Sequence, residues 1–209
     1  MKIVVTRPRD RAGPLVERLQ VLGHEVEVCP LIEIEPVGPE EVDLAGYDWV
    51  ILTSANAARE LASRMHGRPA RVAAIGAATA EAWPGRVDLV PAVSTQEGLL
   101  AELPRPPGRV LFAAAEGARR LVVDELGADF VPLYRTKELR PDRFPEAGLV
   151  VLASPSAARA YAALGRPASV VSIGPETTAA AERAGLGVAA EARTHDVDGL
   201  VDAVRQATG

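Results

Sequence analysis

The amino-acid sequence predicts an α/β protein: two doubly wound parallel-sheet domains joined by a two-stranded linker, the first domain discontinuous. Three features predict it. Short, nearly unbroken apolar runs alternate with segments of helical spacing, the pattern of parallel strands covered on both faces. The chain repeats itself once: LTSANAAR, Leu52 to Arg59, returns as LASPSAAR, Leu152 to Arg159, 100 positions on (152 minus 52). Two extended stretches, Ile32 to Pro36 and Tyr134 to Arg140, cut the chain into three pieces.

Ile3-Val4-Val5 opens as a buried strand. Leu15, Val16, Leu19 and Leu22 then keep helical spacing until Gly23 stops them. Val26 and Val28 alternate into a strand ending at Pro30, and Ile32, Ile34 and Pro36 extend to Gly38-Pro39. Further strands are expected near Trp49–Leu52, Val72–Ile75, Val87–Val90, Val110–Phe112 and Phe130–Val131. Helical patterns fall between them, such as Leu99, Leu100 and Leu103, or Leu121, Val122 and Leu126. After the second extended stretch come strands near Leu149–Leu152, Val170–Ile173 and Gly187–Ala189. The last helix carries Val197, Leu200, Val201 and Val204 as an i, i+3, i+4, i+7 stripe.

The duplication reaches further than one motif. RVAAIGAATAEA from Arg71 matches SVVSIGPETTAAA from Ser169, STQEGLLAEL matches THDVDGLVDAV, and the CPL at Cys29 matches the VPL at Val131. The period is far longer than that of solenoid repeats. The three pieces hold about two, five and three strands, so the outer pieces make a second sheet only by combining. The expected domains are therefore residues 1–34 plus 141–209, and residues 39–133, with linkers 35–38 and 134–140. Two linkers side by side make a weak ribbon, so a hinge is expected, with the ligand in the cleft between the domains.

Composition sets limits on function. With 209 residues, 48% hydrophobic and 24% charged, the chain is an ordinary globular one. A formal charge of −5 gives no general attraction to nucleic acid or membrane. No apolar run approaches the roughly 18 residues of a membrane span, and no signal peptide precedes the first strand, which points to the cytoplasm. The single cysteine, Cys29, excludes an intramolecular disulfide and reads as a buried structural thiol.

Ligands of open α/β sheets collect beyond the carboxyl ends of the strands. This sequence places Thr6 and Arg7 there, with Ser54 and Asn56, Gly76 and Thr79, Ser154 and Ser156, and Gly174, Pro175 and Thr177. Nearly all are small or hydroxyl-bearing residues at helix starts, where unpaired backbone N–H groups and a hydroxyl cap suit an anion. Simple N-capping accounts for any one of them, and duplication could preserve a cap; recurrence in both domains is what favours an anion site. No GxGxxG opens the first helix, no Walker sequence is present and no GxSxG elbow appears. His24, His66 and His195 lack metal-ligand spacing, so neither metal nor cofactor is expected. An enzyme of this composition would work by holding and steering a reactive substrate. From the residues alone a non-enzymatic hinged module sensing small anions is the preferred reading, because no catalytic triad or metal site is visible; a nucleotide-dependent enzyme fits less well.

The motifs VVTRP, CPLIEIEP, DWVILTSANAA, AAIGAATAEA, STQEGLL, VPLYRT, VVLASPSAAR and SIGPETTAAA, in this order and spacing, resemble the uroporphyrinogen-III synthase family over nearly the whole chain. The resemblance implies two flavodoxin-like domains. It implies a cofactor-independent lyase that closes hydroxymethylbilane, a linear tetrapyrrole with eight carboxylates, into uroporphyrinogen III, with loss of water and inversion of ring D. It implies a monomer that touches the preceding pathway enzyme only transiently. The family's prominent tyrosine falls on Tyr134, as the group assisting departure of the hydroxyl; a linker aromatic packing between domains is the plainer reading of the same residue. The hydroxyls carried over as substrate contacts are Ser54, Thr79, Ser154 and Thr177, with the backbone at Gly174 and Pro175, and Arg7 is a further carboxylate partner. One departure stands out: Ala114 occupies the place of the first arginine of an Arg-Gly found in many relatives, while Arg119 is kept.

Overall fold

In a computed structural model, which describes residues 1–209, the chain forms two compact units. One comprises Met1–Ile34 and Thr136–Gly209, the other Glu35–Arg135.

The discontinuous unit is built on a five-stranded parallel sheet. Its first part supplies β1 (Lys2–Val5), α1 (Arg9–Val21) and β2 (Glu25–Val28). Its second part supplies β10 (Leu149–Leu152), α6 (Pro155–Ala162), β11 (Ser169–Ser172), α7 (Pro175–Arg183), β12 (Val188–Glu191) and α8 (Val197–Thr208). The strands lie in the order β12-β11-β10-β1-β2, and every pairing is parallel. The period of two in a strand sorts its apolar residues onto two faces. Ile3, Val5, Leu149, Val151 and Val171 pack with Leu15 and Leu19 of α1 and with Leu200, Val201 and Val204 of α8. Val4, Val150, Leu152 and Val170 pack with Ala157, Ala158 and Tyr161 of α6 and with Ala180 and Ala181 of α7. Both faces are covered, which is why the strands read as continuous apolar runs.

The continuous unit holds β4 (Val42–Asp43), β5 (Trp49–Leu52), α2 (Ala55–Arg64), β6 (Met65–His66), β7 (Arg71–Ala74), α3 (Ala77–Glu81), α4 (Gln96–Glu102), β8 (Val110–Ala115) and α5 (Leu121–Leu126). Two long strands, β3 (Ile32–Pro36) and β9 (Asp129–Glu138), run from one unit into the other. The second sheet has the order β3-β9-β8-β5-β7. Trp49, Ile51, Phe112 and Ala114 form its core with Leu99 and Leu103 of α4 and Val122 of α5. Partners of β3 and β9 run in opposite directions along the two strands, as Leu139 N–H donates to Leu31 O and Val37 N–H to Leu133 O.

Matched through the repeat, β10, β11, β1 and β2 correspond to β5, β7, β8 and β9, and each set occupies the same sequence of places in its sheet. Taken in their own order along the discontinuous unit, its strands lie 2-1-3-4-5, the flavodoxin-like arrangement.

Three details differ from the sequence expectation. The strand expected at Val87–Val90 is reduced to one bridge, Ala73 to Leu89. The Asp88 carboxylate accepts the Val72 N–H at 3.0 Å where a strand carbonyl would, and Pro91 ends the segment. The fifth strand of that sheet is instead β3. Phe130–Val131 and the second linker are one continuous strand, β9, and not a strand followed by a separate linker. The short parallel pair β4 and β6 has no periodic signal long enough to read.

Candidate functional site

In both units the carboxyl ends of the strands lead directly into helix N-termini. Ser54 ends the turn after β5 with extended backbone, and its Oγ accepts the Ala57 N–H at 3.0 Å. Ser154 does the same after β10, accepting the Ala157 N–H at 3.1 Å. These are N-caps, and they leave neighbouring first-turn N–H groups without intrahelical partners. Asn56 and Ser156 are half-buried on the first turns of the same two helices.

The next strand ends carry glycine. Gly76 caps α3 and Gly174 caps α7, both with extended backbone. Each glycine has a loop side chain resting on it. A Cβ on Gly76 would lie 2.9 Å from Ser94 Oγ, and one on Gly174 would lie 2.7 Å from the His195 ring. Ser94 and His195 occupy matching positions of the repeat, so the same close approach has been kept with different chemistry. Thr79 and Thr177 are buried in the first turns of these helices, and each donates its backbone N–H to the preceding glycine carbonyl. Pro175 is exposed at the start of α7.

The two units part company at Tyr134. Its phenol oxygen lies 2.9 Å from Ser54 Oγ, and the residue is only 6% exposed. The repeat matches Tyr134 with Ile32, so the discontinuous unit has no phenol at the equivalent place. Ser154 instead faces Ser156 Oγ at 3.5 Å. Tyr134 owes its direction to an irregularity in β9: Pro132 sits opposite Ala114 and Tyr134 opposite Ala115, leaving Leu133 as an extra residue. Such a bulge re-aims the side chains that follow it. Ser54, with one N–H already bound, and Tyr134, with either oxygen able to donate, form a hydrogen-bonded pair that can pass a proton to, or accept one from, a third oxygen.

Thr6 is placed differently from the other candidates. It is fully buried, and its hydroxyl donates to Val151 O at 2.8 Å. It therefore ties β1 to β10, and the half-buried Arg7 is the next residue on that strand end. Ala114 is fully buried in the core of the continuous unit. Arg119 lies on the loop after β8 and grips Glu97 with both terminal guanidinium nitrogens, at 2.6 and 2.7 Å. That contact, with help from its own backbone N–H, pulls the Glu97 carboxyl down to about 2.

Two polar residues of this region escaped the sequence reading. Gln96 is buried; its Nε2 donates to Arg119 O and its Oε1 accepts the Val122 N–H, tying the start of α4 to the loop after β8 and to α5. Its repeat partner is Val197, and that exchange of an apolar residue for an amide was the available signal. Arg64 is the other, and its helical pattern carries no hint of burial. No group of three or more His, Cys, Asp or Glu side chains is placed to hold a metal ion, and no helix is long and apolar enough to cross a membrane.

Comparison with known proteins adds the following. The family model described as uroporphyrinogen-III synthase HemD matches residues 13–202. The uroporphyrinogen-III synthase of Synechococcus elongatus is 26% identical, over 98% of this chain and 94% of its own. An Archaeoglobus fulgidus protein, provisionally given the same name, is 31% identical over 67% of this chain and 62% of its own. Among solved structures, a mutant uroporphyrinogen III synthase of the extremely thermophilic bacterium Thermus thermophilus superposes with a TM-score of 0.62 at 16% identity. That match covers 99% of this chain and 98% of the other, and it bears on the fold alone.

Proposed function

The chain belongs to the uroporphyrinogen-III synthase family, enzymes of tetrapyrrole biosynthesis, and from this premise we propose that it converts hydroxymethylbilane into uroporphyrinogen III. The observation that carries the proposal is the 2.9 Å contact between Ser54 and Tyr134 at the N-terminus of α2. The terminal hydroxyl of the bilane has to leave as water. The lone pair of its pyrrole nitrogen drives the C–O bond apart, the pyrrole N–H gives up a proton as the oxygen gains one, and Tyr134 hydrogen-bonds to the departing oxygen. Ser54 holds the phenol in place while its own oxygen is held by the Ala57 N–H.

A phenol, with an ordinary pKa of about 10, is a weak acid at neutral pH, so Tyr134 assists departure and does not supply the whole rate. The azafulvene formed closes unaided to the symmetric type I product. The protein's larger task is orientation: the substituted carbon of ring D must attack first, through a spiro intermediate. The helix N-termini at Ser54, Ser154 and Gly174 each suit a carboxylate, and Arg7 suits one as a bidentate donor. The proposal includes a lyase acting as a monomer in the cytoplasm, without metal or organic cofactor.

Purified protein given fresh hydroxymethylbilane and no added metal is expected to yield the type III isomer, and Tyr134→Phe is expected to slow turnover more than about tenfold while costing about 1 kcal/mol of stability, the bond to Ser54. Type I alone, at the spontaneous rate, overturns the proposal. Binding without turnover would return the chain to the anion-sensing reading. An unchanged rate in Tyr134→Phe would leave Tyr134 a packing residue.

A further inference from the structure

The last residue of α2, Arg64, is mostly buried at the end of the helix whose start carries the Ser54 cap. Its side chain is 11% exposed, unusual for an arginine at a helix end. One guanidinium nitrogen donates to Val37 O at 2.6 Å and to Pro39 O at 3.3 Å. The other donates to Leu133 O at 2.9 Å and to the Glu60 carboxylate at 2.5 Å. Leu133 O also accepts the Val37 N–H, so Arg64 grips the rung by which β3 and β9 are joined. Leu133 is the extra residue of the β9 bulge, and Tyr134 follows it directly.

We infer that Arg64 is a positioning residue for the Ser54–Tyr134 pair, an inference that rests on the proposed synthase reading. α2 touches this segment of β9 at two places. At its start, Ser54 meets the phenol oxygen; at its end, Arg64 holds the carbonyl one residue before the same tyrosine. The helix therefore spans the tyrosine as a brace, with backbone and hydroxyl of the ring held from opposite ends of one rigid element. A carbonyl on a bulge has lost part of its regular ladder bonding, and a planar fork with several donors is suited to hold it. Glu60, one turn back on α2, fixes the fork by an i, i+4 ion pair. No phenol shift larger than the width of a hydrogen bond is needed to matter, because a displacement of about 1 Å at a reacting group can cost on the order of a hundredfold in rate.

The test is a double-substitution cycle of Arg64→Met and Tyr134→Phe in the full chain, read by kcat, KM and the ratio of type III to type I product from hydroxymethylbilane. Arg64→Met keeps the apolar stem and removes every donor. It is expected to lower kcat about tenfold with KM little changed, and to lower it less than about twofold when Tyr134 is already Phe. Arg64→Lys, which keeps the charge and reaches fewer of the carbonyls, is expected to fall between and serves if Arg64→Met does not fold. If either Arg64 variant slows the enzyme by the same factor with and without the phenol, Arg64 acts on the fold and not through Tyr134, and the inference fails. If wild-type protein makes no type III product, it is the synthase reading that fails.

Discussion

Ser54 and Ser154 occupy equivalent caps but have different second partners, and replacing each by alanine measures the difference. In Ser154→Ala, α6 loses the bond from Ala157 N–H, a cap worth about 1 kcal/mol. The contact to Ser156 is 3.5 Å long and adds little. In Ser54→Ala, α2 loses the same cap and also the 2.9 Å bond to the Tyr134 hydroxyl. A neutral hydrogen bond of that kind contributes about 1 kcal/mol net, so the expected loss is about 2 kcal/mol against about 1. Urea unfolding can assign the losses, because Trp49 and Trp83, the two tryptophans, both lie in the unit of Ser54. Fluorescence thus follows that unit, while ellipticity follows both. Turnover should separate the pair further, with Ser54→Ala the slower enzyme. Losses equal to within about 0.3 kcal/mol would mean that the phenol is not bound to Ser54 in solution, and the proposed centre would have to be abandoned.

Two further outcomes follow from other parts of the structure. Gly199→Ala would put a Cβ 2.0 Å from the Thr194 carbonyl, and Gly98→Ala one 2.2 Å from the Val93 carbonyl. Backbone cannot move aside cheaply, so each should lower stability by about 2 kcal/mol; urea midpoints check both. The Glu97 carboxyl should titrate at about 2, and Arg119→Ala should return it toward the ordinary 4.5. Because its folded pKa is lowered, the stabilisation is present above the ordinary value and is lost as pH falls toward 2; carbon-13 NMR of the Glu97 side chain follows this directly.

What could be read from the sequence is what short-range physics decides. The apolar runs had to be buried on both faces, and the Ile3–Val5 and Leu149–Leu152 strands are. Ser54 and Ser154 were legible as caps because a cap bond spans only three residues. The repeat, counted against the two extended stretches, was enough to deduce that the chain's ends share one sheet.

Tertiary structure decided the rest. The Thr6 hydroxyl was expected beside a ligand and is bound to a carbonyl 145 positions away, a partner no local pattern names. Val87–Val90 has a strand's composition, yet Asp88 takes the edge bond that a strand would have made. Whether Tyr134 meets Ser54 depends on one extra residue in β9, and a slip of one in a strand reverses the side to which a side chain points. Arg64 looks like any surface arginine at the end of a helix. It became mostly covered only when the segment after β3 and the strand β9, distant in sequence, offered their carbonyls to it, because local sequence sets which backbone groups exist and the assembled fold sets which of them lack a partner.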